Sequence, residues 1–294
     1  MLRTRALVAS GSVAAALLLA APAGAAPVTL HCGDVVTHSV KLAADVTCPD
    51  DNSPGLVVGA NGITIDLGGH VVRTSISHST QIGIDNSAGH DGVTIRNGTV
   101  MTFDTTILLL GASRNRIKDV GAFAFGTGIS VTGGSRNLIR GSDADSRGNG
   151  IEVSGSPRTT VLHNQLGSAF GAPLIVDSDR VAIERNTFPP GPGLQVSGDH
   201  NLVLKNSTGN IEVASGTGNI VERNSIVNAP PLAVGAPFVD GLLVSAAATN
   251  TAILHNTASG WDNDGIHVQS PSALIVGNAA GGNGNPAQCL NVTC

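Results

Sequence analysis

The chain has 294 residues, with 16 Lys and Arg against 21 Asp and Glu and a formal net charge of −5. That acidic excess argues against a nucleic-acid partner, which calls for a basic footprint. With 38 Gly, no Tyr and a single Trp, the composition suits many short strands joined by tight turns and offers few aromatic platforms on which neutral sugars stack.

The first predicted element is not part of the fold. "MLRTRALVASGSVAAALLLAAPAGAAP" carries Arg3 and Arg5, an apolar run from Ala6 to Ala21 and the small residues Ala23-Gly24-Ala25. Residues 1–25 read as a secretory signal peptide, too short and wrongly flanked to span a membrane. The expected product is secreted and extracellular, with no membrane segment. It keeps 14 basic against 21 acidic residues.

Residues 26–60 are expected to form an N-terminal cap containing Cys32 and Cys48, and residues 283–294 a C-terminal tail containing Cys289 and Cys294. In an exported chain these cysteines default to disulfides. Local pairing, Cys32 with Cys48 and Cys289 with Cys294, is expected because a rod would hold its ends apart. The first bridge would contribute roughly 3 kcal/mol on the loop-entropy view. The alternative is a metal site of four cysteines.

Residues 61–282 are a repeat. Ile95, Ile117, Ile139, Val161, Ile183, Val203, Val221, Ile253 and Ile275 recur at intervals of 22, 22, 22, 22, 20, 18, 32 and 22 residues. Three positions later stand Asn164, Asn186, Asn206, Asn224, Asn256 and Asn278, with Gly98, Val120 and Ser142 in the earlier copies. A second series, usually after Gly, runs Ile84, Ile107, Ile129, Ile151, Leu174, Leu194, Ile211, Leu242 and Ile266. From Ile107 onward an apolar residue stands two positions further on, which is period-2 alternation inside the longer period. No stretch has the 3.6 periodicity of helical repeats, and no regular Leu ladder appears. Such copies bury their apolar faces only by stacking. The prediction is an all-β parallel β-helix of about nine to eleven rungs spaced ~4.8 Å apart, with disulfide-closed ends and the repeated Asn bonded to its neighbours above and below. The 32-residue interval holds "SIVNAPPLAVGAPFVDG", a predicted loop at 225–240 that would be either a lip over a binding face or a drifted insertion.

The rungs "GNGIEVSGSPRTTVLHN" and "NDGIHVQSPSALIVGN" resemble those of the right-handed parallel β-helix superfamily, the pectin-lyase-like proteins. The opening "CGDVVTHSVKLAADVTCP" with "LVVGANGITIDLGGHVV", and the ending "GNGNPAQC", resemble secreted bacterial β-helix repeat proteins, whose functions are mostly unassigned. The resemblance covers nearly the whole mature chain and is specific for fold rather than activity. It implies that any catalytic groups would be outward residues on one parallel sheet, acting on acidic polysaccharide.

Three groups of outward residues are candidates. Glu152 and Asp177 lie one rung and two residues apart, ~8 Å, a separation used by inverting glycosidases; otherwise they are two acids on a solvated face. In "WDNDG", Trp261, Asp262 and Asp264 stand near His267, so a sugar could stack on the indole beside two acids. Alternatively, Asp264, like Asn149, is a positive-φ turn residue before Gly. His163, Arg185, Lys205, Arg223 and His255 form a basic stripe able to track carboxylates along a uronate chain, unless Glu184 and Glu222 merely pair with it.

Family catalytic patterns are missing. Arg116-Ile117-Lys118 matches the Arg-Ile-Lys of polygalacturonase-like enzymes, but their Asn-Thr-Asp and Gly-His-Gly are absent and the sole Asp-Asp, Asp50-Asp51, lies in the cap. The Asp-Pro-His-Asp of alginate epimerases is also absent. No metal site and no cofactor is expected, the histidines being scattered. The resulting expectation is a secreted β-helix that binds acidic polysaccharide without a recognisable catalytic site. The alternatives are a polysaccharide hydrolase, lyase or epimerase, and a structural or adhesive rod.

Overall fold

The structure is a computed structural model that describes residues 26–49, 53–75, 81–189, 193–228, 240–292 and 294. The expected signal segment and most of the 225–240 insertion lie outside these residues. The described chain is an all-β solenoid of about 11 turns without a helix, as the repeat requires.

Each turn of the coil has three sides, as in Ile151–Ser154, Thr160–Leu162 and Gln165–Ser168. The first side is a 12-stranded parallel sheet running from Asp34–Val36 to Cys289–Leu290. The second runs from Pro27–Val28 through Val40–Leu42 to Leu274–Val276, and the third is built of shorter strands such as Ser225–Val227 and Thr257–Ser259. The register is the one the periods demand. Ile117 pairs with Ile95 and Ile139 on the second sheet, and Ile129 with Ile107 and Ile151 on the first. The 32-residue interval leaves the register intact, since Val221 still pairs with Ile253.

Alternation places one residue of every pair inside, where Ile84, Ile107, Ile129 and Ile151 stack fully buried. The glycine before this series answers to crowding rather than to φ. A Cβ on Gly128 would lie 2.4 Å from the Gly150 carbonyl oxygen, and one on Gly150 2.5 Å from that of Pro173. Neighbouring rungs approach too closely there for any side chain.

The repeated Asn builds the buried ladder expected of it. Asn186 Nδ2 donates to Val161 O at 2.9 Å and to Asn206 Oδ1 at 3.0 Å, and Asn206 repeats the pattern with Ile183 O and Asn224 Oδ1. A second ladder lies two residues before the β-branched series. The Asn115 N–H donates to Asn137 Oδ1, and the Asn201 N–H to Asn219 Oδ1, both groups being buried. Its spacing is present in the sequence, with Thr159, Val181 and Thr251 interrupting the Asn pattern.

Disulfides join Cys32 to Cys48 and Cys289 to Cys294, near the two ends. No cysteine is free, so no four-cysteine metal site exists.

On the third side, burial, with the Asp145 charge two residues away, raises the Asp143 carboxyl above the usual carboxylate range. The folded state therefore holds this proton to higher pH than the unfolded chain does. Stability falls as pH rises from the ordinary carboxylate value through the raised one. Asp143→Asn is expected to raise Tm at neutral pH by about 1–2 °C, a small gain because solvent screens the half-exposed site. The gain should vanish below the ordinary carboxylate range, and thermal melts at both pH values check it.

Candidate functional site

On the first sheet, alternation turns Glu152, Asp177 and Glu212 outward. Glu152 pairs with Ser130 and Ile175, and Asp177 with Ser154 and Ser197, so the two acids are diagonal neighbours one rung apart. Neither carboxylate has a hydrogen-bond partner among the described residues, whereas Gln195 Nε2 donates to Glu212 Oε2 at 3.1 Å. The strands of this sheet carry five carboxylates and no Lys or Arg. An anionic chain laid across it would meet like charge.

Near the C-terminal end, the sheet gathers a group that spacing alone did not reveal. Asp240, two residues before the strand Leu242–Val244, lies beside Asp264, two residues before Ile266–Val268. His267 Nδ1 is 2.9 Å from Asp240 Oδ2, and ligand atoms of Asp240, Asp264 and His267 all lie within 4.8 Å of one another. Asn263 Nδ2 donates to both carboxylates, at 2.8 and 3.3 Å, and Asn285 Nδ2 donates to Asp264 Oδ1 at 2.6 Å. Asp264 is 1% exposed and Asp240 8%, which leaves the half-buried His267 as the solvent-facing member. Two stacked carboxylates and an imidazole at this spacing could hold one cation or exchange a proton through His267.

The other members of the cluster read from the sequence fare differently. Trp261 is 3% exposed and its Nε1 has no hydrogen-bond partner, so the indole offers no open face for a sugar. Asp262 is exposed beside it. Neither Asp264 nor Asn149 has positive φ. Asn149 Oδ1 instead accepts from the Ala172 N–H, and Asp264 donates its own N–H to Asp240 Oδ1.

The basic stripe of Arg185, Lys205 and Arg223 lies on a different side of the coil. Each immediately follows a strand of the second sheet and has φ between 53 and 56°. All three are exposed. Arg223 pairs with Glu222, while Arg185 and Lys205 have no ion pair among the described residues. The structure thus brings His267 and Asp264 together with Asp240, and separates the Glu152–Asp177 diagonal from the basic stripe. It also exposes a second basic column at Arg114, Arg136, Arg158 and Arg180, three residues before each β-branched position. That spacing was legible in the sequence at the same 22-residue interval.

Residues 51–188 match the family described as the right handed beta helix region. No curated protein sequence matches the chain. Among solved structures, the A-module of the mannuronan C-5 epimerase AlgE4 from Azotobacter vinelandii is similar at a TM-score of 0.66 and 12% identity, covering 90% of this chain and 82% of that one. A DFA-IIIase from Arthrobacter chlorophenolicus A6, in complex with GF2, is similar at a TM-score of 0.56 and 17% identity, covering 77% and 68%. These identities speak to fold alone. The chain thus has the right-handed parallel β-helix fold.

Proposed function

We propose that the protein is an exported β-helix that binds acidic polysaccharide through its second sheet. The observation that carries this reading is charge segregation. Of the 14 Lys and Arg beyond residue 25, 12 lie within two residues of that sheet's strands; Arg73 and Arg147 are the exceptions. The same zone holds four carboxylates, Asp66, Asp119, Glu184 and Glu222. A chain acidic overall therefore presents one basic side, which draws a polyanion to that side and away from the acidic first sheet. Similar solved structures are carbohydrate-active proteins, the epimerase and the DFA-IIIase, and this supports a glycan as the partner.

The test is retention of the mature protein on immobilised polyuronate and on a neutral glucan over a salt gradient. Binding through the basic side predicts retention on polyuronate alone, lost between about 0.1 and 1 M salt as the screening length falls from ~10 to ~3 Å. Retention that ignores salt, or equal retention on the neutral glucan, overturns the reading.

A second reading is favoured by the Asp240–Asp264–His267 group, whose carboxylate and imidazole atoms share one 4.8 Å neighbourhood. Together with the outward Glu152 and Asp177, it would make the first sheet a catalytic face. New reducing ends or unsaturated uronate products in the same incubations would promote that reading over simple binding.

A further inference from the structure

The basic side is not uniform, and one of its corners has the form of a site. Gly62, Gly92, Arg114, Arg136, Arg158, Arg180, His200, Gly218 and Asn250 occupy one corner position in successive turns, all with φ between 51 and 69°. Left-handed backbone there is most easily met by Gly or Asn, and Gly62, Gly92, Gly218 and Asn250 show that the turn itself asks for no more. Four consecutive turns nevertheless place Arg in this strained conformation. The Arg185, Lys205 and Arg223 column shares this backbone, so what sets the Arg114–Arg180 corner apart is its run of four consecutive guanidiniums and the cleft that the first three line.

Three further observations converge on the same corner. Arg114, Arg136 and Arg158, together with Arg116 and Thr160, line a cleft of about 560 Å³ that opens beside Gly92. Arg136, Arg158 and Arg180 have no ion pair among the described residues, and Arg114 has only a 3.9 Å approach to Asp91. The nearest acids are turned to the backbone. Asp91 Oδ1 accepts the Ser113 N–H at 2.7 Å, and Asp179 Oδ1 accepts the Asp199 N–H at 2.8 Å. The guanidinium forks are therefore left for an external anion, which they take as paired N–H donors in a way that ammonium groups do not.

We propose that the corner formed by Arg114, Arg136, Arg158 and Arg180 is the anion-reading subsite of the basic side, taking a linear polyanion that runs along the coil axis. The arginines repeat at the rung spacing of ~4.8 Å, close to the length of one extended sugar unit. The ligand class is accordingly an extended acidic glycan with an anionic group on each sugar, one carboxylate or sulfate ester per rung. This rests on the proposed polysaccharide binding and adds where, and at what repeat, the glycan is read. The column of Arg185, Lys205 and Arg223 at the other end of the strands would contribute only general attraction.

The experiment compares two charge-matched variants with the parent by calorimetric titration of polyuronate oligosaccharides. The first is Arg136→Asn with Arg158→Asn, and the second is Arg185→Asn with Lys205→Asn. Asn keeps each positive-φ turn, as Asn250 does in the first column, so both variants should fold, and far-UV circular dichroism verifies this. The corner variant should bind at least about 100-fold more weakly, tenfold per arginine, and the other variant within about threefold of the parent. Arg136→Lys with Arg158→Lys keeps the charge and should still lose about tenfold, because the paired geometry is gone. Equal losses in the two Asn variants, or full binding by the Lys variant, would overturn the corner subsite while leaving polysaccharide binding standing. A parent protein that binds no polyuronate or sulfated glycan overturns both. Oligosaccharides bearing carboxylate or sulfate, tested in parallel, identify the anionic group.

Discussion

Asn206→Ala is expected to lower the unfolding free energy by about 3–5 kcal/mol, among the largest losses available to a single substitution in this chain. Asn206 is buried, and its Oδ1 accepts from both the N–H and the Nδ2 of Asn186, at 2.9 and 3.0 Å. Its Nδ2 donates to Ile183 O at 2.9 Å and to Asn224 Oδ1 at 3.0 Å. Truncation leaves the Asn186 N–H without a partner where water does not reach, and takes one donor from the Ile183 carbonyl. An orphaned buried group costs roughly 1–3 kcal/mol, and the vacated volume adds to that. Asn206→Asp separates the hydrogen-bond cause from the volume cause. It is nearly isosteric but turns a carboxylate toward the Ile183 and Asn224 oxygens, so its folded-state pKa should rise. Its loss should then be greatest at neutral pH and ease as pH falls and the carboxyl takes a proton, whereas the Ala variant stays flat. Urea titrations at two pH values read both effects; losses under roughly 0.5 kcal/mol in both variants would refute a stabilising ladder.

The second large effect is expected at the N-terminal end. Opening the Cys32–Cys48 bridge with paired Ala substitutions should remove about 3 kcal/mol from the closed loop, whose cysteines are 16 residues apart. Cys289 and Cys294 are only five residues apart, and the same loop argument makes their bridge weaker by about 1 kcal/mol. In a coil each turn touches only its neighbours, so the loss should show first as fraying of the terminal turn rather than as uniform weakening. Hydrogen exchange should quicken in Asp34–Val36 and Val46–Cys48 and leave Ile129 and Val153 protected. Uniform acceleration along the rod would mean that the bridge acts on the whole fold, contrary to nearest-neighbour stacking.

How much of this was legible in the sequence follows from the range of each interaction. Wherever a contact joins a residue to its counterpart one rung later, the period exposes it. The pairing of Ile117 with Ile139, the ladder from Asn164 to Asn278 and the Glu152–Asp177 diagonal were all readable from the recurring rung pattern. The local disulfides were readable because a rod keeps distant cysteines apart. Asp240, which closes the insertion, stands two residues before its strand as Asp264 does before the next, but nothing in that spacing shows that His267 turns back onto it.

By itself, then, the sequence determined the parallel coil, its register, its buried Asn ladder and its closed ends, because each is a nearest-neighbour property repeated many times. Only the tertiary structure decided which outward residues share a side. It set the acids of the first sheet apart from the arginines at the corners of the second, and it buried Trp261, which composition alone had offered as a platform. The physical reason is that strand alternation tells inside from outside, while the side a residue faces depends on where the left-handed turns bend the chain. Those bends fall at Arg136, Arg158 and Arg185, residues whose preferences give no sign of a turn.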